Sequence, residues 1–163
     1  MKFSLLQRNL LIQALQEAEE RTTRYYCIPP FRWDQLRYDL LTQKDHGWEP
    51  IPDSMLARVR CLQRIGETPS FDFYRIELND PSILAAAERE RLSRNLYPFF
   101  LYILTHEMVH MVRLSSILDD DFPPPLHAVE SEEERVLNIS RRILAELSFQ
   151  PIFEKFSSGK PSL

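Results

Sequence analysis

The sequence predicts an α+β fold: a small antiparallel sheet of at least two strands, packed on one buried helix, with another helix behind it. Three observations carry that expectation. Residues 58–65 put Arg58, Arg60 and Arg64 on one side and Val59, Cys61 and Ile65 on the other, and residues 71–78 are rich in aromatic and β-branched side chains. With a turn over 66–70 between them, they read as a hairpin. Residues 97–118 are apolar on every face, which marks a central helix. Residues 131–147 open on Ser131 with Glu134 three positions later, the pattern of a capping box, and carry Val136, Ile139, Ile143 and Leu147 as one stripe.

The remaining elements follow from spacing and punctuation. Residues 4–22 have Leu6, Leu10, Ala14 and Leu15 at helical intervals, so a first amphipathic helix is expected there. Pro29 and Pro30 end the extended stretch after it, and residues 31–41 read as a short helix. Residues 42–53 hold Asp45, His46, Gly47, Pro50 and Pro52, all compatible with a loop. Residues 79–82 close the hairpin, and residues 83–95, with three consecutive alanines, read as a helix. Asp119 to Asp121 and the prolines 123–125 break the chain after the central helix. The three acids are a solvated break, since they lack the spaced ligands of a calcium loop.

Length and composition exclude several classes. A chain of 163 residues suits a single domain over 1–163 and can bury a core without staples. Twenty basic against 24 acidic side chains leave a net charge of −4, so no basic excess supports nucleic-acid binding. Cys27 and Cys61 are too few for a disulfide framework and read as buried free thiols of a cytoplasmic protein. No apolar stretch approaches the roughly 20 residues of a membrane span. Gln7, Arg8 and Asn9 interrupt the apolar N-terminus, so it reads as a helix of the mature chain rather than a signal peptide.

The chemistry concentrates in the central helix. Two of the chain's four histidines fall in His106-Glu107-Met108-Val109-His110, the pattern H-E-x-x-H. Residues four apart share a helix face, so both imidazoles reach one metal ion. Glu107 is turned about a quarter of the way round the axis, beside the ion rather than on it. There it suits a general base acting on a water that the metal acidifies. Two imidazoles and a carboxylate favour zinc on ligand type, although manganese, cobalt or iron fit such a set too.

The motif on a buried helix resembles the signature of the zincin metallopeptidases. Arg113 and Ser116 stand where the metzincin extension needs Gly and His, so that branch is not matched. Glu130 to Glu134 follow His110 by 20 to 24 residues, the region from which gluzincins take a third ligand. Residues 97–147 are also similar to a group of uncharacterised bacterial metallopeptidases. The resemblance implies a minimal zincin-like fold, a zinc ion, and hydrolysis of a peptide or protein substrate. Glu132 and Glu133 both share the face of Val136, and Glu133 is preferred as third ligand because it also aligns with Ser140 seven residues on; Glu130, Glu132 and His127 are the alternatives. Ser140 would then support Glu133, while Arg113 would pair with the ligand glutamate, orient a substrate carbonyl or snorkel to water. Tyr102 is assigned to the core rather than to an oxyanion site. Strand 71–78, were it the sheet edge, would hold an extended peptide. The rival reading is a non-catalytic zincin-like protein with a structural or vestigial metal site that binds a partner.

Overall fold

The structure is a computed structural model, and it describes residues 2–43, 51–66, 68, 70–118 and 131–147. Among the described residues, five helices and a three-stranded sheet follow one another as α1 (Leu5–Tyr25), α2 (Pro30–Trp33), β1 (Leu36–Leu41), β2 (Ala57–Gln63), β3 (Asp72–Leu78), α3 (Asp80–Arg89), α4 (Leu96–Leu114) and α5 (Glu132–Ile143). The strands lie in the order β1-β3-β2.

The hairpin β2–β3 is antiparallel, but β1 runs parallel to β3, so the sheet is mixed rather than antiparallel. The cause is β1 itself. The stretch read as a helix over 31–41 gives only the single turn α2 and then a strand. Leu36, Tyr38 and Leu40 alternate onto one face, and their pairing with β3 lies 36 residues away, beyond the reach of local propensity. It follows that β3 is the central strand. Both its edges are paired, and it cannot accept a peptide strand; β1 and β2 are the edges.

One sheet face carries Leu36, Tyr74, Ile76 and Leu78, all buried, and Met108 and Met111 of α4 join Leu36 and Tyr74 in one apolar cluster. A register shift at Cys61/Gln63 breaks the alternation of β2. Beyond it Arg64 leaves the side shared by Arg58 and Arg60 and lies over the Tyr74 ring, 5.9 Å from its centroid. The opposite face is a charge ladder. Arg75 forks onto Asp39 at 3.0 Å, and Arg58 and Arg60 reach Glu77 at 3.2 and 3.4 Å.

Helix α4 explains its own apolarity: it is buried from Phe99 through Val109, with α1, α5 and the sheet against it. The α1 stripe is Leu11, Ala14, Ala18 and Thr22, and Leu6 is exposed, unlike the expected stripe. Small side chains let α1 approach α4 closely, so the packed face is not the most apolar one. Ser4 and Gln7 form a capping box at the start of α1. Helix α3 begins earlier than expected, because the Asn79 side chain caps it by accepting from the Ser82 amide. It also ends earlier, at Arg89.

Asp72 ties the loop after α4 to the sheet, accepting from the Ser116 amide and hydroxyl at 3.3 and 3.2 Å. Cys27 and Cys61 are both free and both exposed, contrary to the expectation of burial. No described helix is long and apolar enough to cross a membrane.

Candidate metal centre

The site lies where the C-terminal half of α4 meets the first turn of α5. His106 and His110 stand one turn apart on α4, with their Nε2 atoms 3.1 Å from each other. Ser131 caps α5 by accepting from the Glu134 amide. That sets Glu132, Glu133 and Glu134 in the first turn, where the helix dipole favours acids. Val136, Leu137, Ile139, Ser140 and Ile143 are the buried residues of α5. Glu133, three residues before Val136, is thereby aimed at the histidines. Its Oε1 lies 2.8 Å from His106 Nε2 and its Oε2 3.0 Å from His110 Nε2.

The donor set fits a cation. Donors at about 2.0–2.1 Å from a tetrahedral ion sit about 3.3 Å apart, and these separations are a few tenths of an ångström shorter. Two imidazole nitrogens facing each other need a proton or a cation between their lone pairs. His106 Nδ1, on the far side of the ring from the converging atoms, is buried without a hydrogen-bond partner. His106, His110 and Glu133 are the one such cluster among the described residues.

The electrostatics point the same way. Desolvation pushes the Glu133 carboxyl up, yet the adjacent His106 and His110 outweigh it and bring it down to about 2. Burial pulls His110 down, and Glu133, Glu107 and Glu132 together raise it above its ordinary value. Glu107 is only 4% exposed and has no hydrogen-bond or ion-pair partner among the described residues. Burial raises its carboxyl above the usual carboxylate range against the pull of the two histidines.

A cleft of about 240 Å3 opens onto Glu107, His110 and Glu133. Its other wall is Met55 and the edge strand β2, through Ala57, Arg58 and Val59, with Leu114 at the rim. A larger cavity of about 510 Å3 lies between residues 53–56 and α3, and it holds none of this chemistry.

Other expected participants fall elsewhere. Arg113 forks onto Glu132 rather than onto the donor glutamate, at 2.6 and 3.0 Å, which also removes Glu132 from the donor set. Ser140 donates its hydroxyl to the Val136 carbonyl, as a buried helical serine does, and does not support Glu133. Tyr102 is fully buried against His106, at 6.3 Å between ring centroids, and does not line the cleft. Burial raises its hydroxyl pKa. Glu130, His127, His46 and Asp119 to Asp121 lie outside the described residues. The β2 wall was missed in the sequence because only the strand order reveals which strand is the edge. The Arg113–Glu132 pair had a visible signal: Arg113 follows His106 by seven residues, on the same face.

Compared with protein-family models, with curated proteins and with solved structures, the chain matches none.

Proposed function

We propose that the chain is a zinc-dependent metallopeptidase of the gluzincin type. His106, His110 and Glu133 would hold the ion and Glu107 would serve as general base. The observation that carries this reading is the convergence of three residues from two helices, each with a donor atom within 3.1 Å of the other two residues' donors. Zinc, when bound, supplies Lewis acidity that polarises an amide carbonyl and acidifies water.

The chain's own residues supply the rest. The Glu107 carboxylate takes a proton from the attacking water and returns it to the departing amine, and its burial raises its basicity for that task. The β2 edge along the cleft offers unpaired backbone groups to an extended peptide. Met55, Val59 and Leu114 add apolar surface to the cleft.

The test is metal analysis of protein purified without chelators or a histidine tag, followed by a peptide-hydrolysis screen. About one zinc per chain is expected in the wild type, lost in folded His106→Ala and Glu133→Ala. Glu107→Gln should keep the zinc and lose hydrolysis by about a hundredfold to ten-thousandfold. No stoichiometric zinc after re-addition would sink the proposal. Zinc without hydrolysis in the wild type would move the chain to the non-catalytic reading.

A further inference from the structure

We propose that Arg113 is a positioning residue: its bidentate grip on Glu132 sets the first turn of α5 so that Glu133 meets both imidazoles. This rests on the reading of His106, His110 and Glu133 as a metal site.

Helix α4 presents His106, His110 and Arg113 in one row, at intervals of four and three residues. The first turn of α5 answers with two adjacent carboxylates. Glu132 meets Arg113, with Nε to Oε1 at 2.6 Å and Nη2 to Oε2 at 3.0 Å, and Glu133 meets the histidines. Neighbouring residues on a helix point about 100° apart. Fixing Glu132 on the guanidinium therefore fixes the direction of Glu133.

Little else near Glu133 does so. It sits in the first turn, where amides lack partners inside the helix and ends fray. Its side chain is 46% exposed. The Ser131 hydroxyl holds the Glu134 amide, not Glu133. The buried stripe of α5 begins only at Val136. The fork thus links α4 to α5 at the metal-binding turn. It also explains why two equivalent acids take different roles: Arg113 selects one and leaves the other for the metal.

The sign of the effect separates positioning from simple electrostatics. Arg113 is a cation near a dication, so losing its charge alone would tighten metal binding. Losing the fork would loosen it. The experiment is zinc affinity of the full chain by competition with a chromogenic chelator, well below the unfolding temperature, with far-ultraviolet circular dichroism of each metal-free variant. Arg113→Met and Glu132→Gln should each weaken zinc roughly tenfold to a hundredfold, the range for groups that orient ligands. Their combination should be no weaker than either alone. Arg113→Lys keeps the charge without the planar fork and should also weaken binding. It serves, with Glu132→Gln, if Arg113→Met does not fold. Equal or tighter zinc binding in folded Arg113→Met, or in Arg113→Lys should it stand in, would overturn the positioning role and leave the metal site standing. No zinc on the wild type would remove the site and this inference with it.

Discussion

Glu77 on the sheet and Glu107 on α4 are both buried carboxylates, at 0% and 4% exposure, and they are compensated in opposite ways. Glu77 meets two guanidiniums from β2, Arg58 at 3.2 Å and Arg60 at 3.4 Å. Its charge is closed within the fold, by residues that alternate onto one face of a hairpin. Glu107 has no cation or donor among the described residues beyond the histidines that precede and follow it, and burial raises its carboxyl. A fold does not carry an unmatched buried carboxylate without cost. The sheet closes Glu77 with ion pairs of its own, whereas Glu107 lines the cleft at the α4–α5 junction.

The largest expected effect tests that contrast directly. Glu77→Gln removes the charge that Arg58 and Arg60 share. Because these are 17% and 38% exposed, their desolvation is partial, and a loss of about 2 kcal/mol is expected. Glu107→Gln in the metal-free chain removes an uncompensated charge and keeps the side-chain volume, so stability should hold or rise. Urea unfolding with an unchanged slope reads both. Equal losses in the two variants would erase the distinction between a closed and an open carboxylate.

The same contrast explains what was legible in the sequence. The α5 cap at Ser131 and the face shared by Glu133 and Val136 are local signals, and the structure brings Glu133 to the histidines. The hairpin β2–β3 was equally local. What escaped depends on distant partners or on backbone geometry. β1 is a strand because β3 pairs with it, and that pairing turned the expected antiparallel sheet into a mixed one. The α1 face was misjudged because Ala14 and Ala18, not leucines, meet α4. The ends of α1 and α3 lack the glycine that usually marks such ends. Cys27 and Arg91 take the left-handed conformation there, at φ 53° and 58°.

Those two positions give the next prediction. The Ile28 amide reaches back to the Thr23 carbonyl and the Cys27 amide to Arg24, and Leu92 and Arg91 repeat the pattern with Ala87 and Glu88. Both ends are thus Schellman caps with a side chain where glycine is at ease. If the main unmet cost of the fold sits in the cleft, strain elsewhere should be small and removable one residue at a time. Cys27→Gly and Arg91→Gly should each stabilise by about 0.5 kcal/mol, the relief of a left-handed residue less the added freedom of the unfolded chain. Thermal unfolding should rise slightly in each and roughly additively in the pair. A drop in both would mean that these side chains hold contacts worth more than the strain.

The smallest effect concerns a third carboxylate, Glu17, whose arrangement stands between the two extremes. It accepts from the Tyr97 hydroxyl at 2.7 Å and pairs with Arg21 at 3.5 Å. Burial, with the Glu17 hydrogen bond and charge, pushes the Tyr97 hydroxyl up to about 12. The folded chain therefore holds this proton more tightly than the unfolded one, where tyrosine loses it near 10. Between these values the native state binds more protons, so stability falls as pH rises. The contribution is complete below about pH 10 and gone above about pH 12. Tyr97→Phe should lower stability slightly at neutral pH and make the alkaline decline shallower by this one proton. Tyr74, raised to about 12 chiefly by burial, keeps its share of that decline in both proteins. Identical alkaline slopes in wild type and Tyr97→Phe would show that Glu17 is already closed by Arg21 alone, as Glu77 is by its arginines.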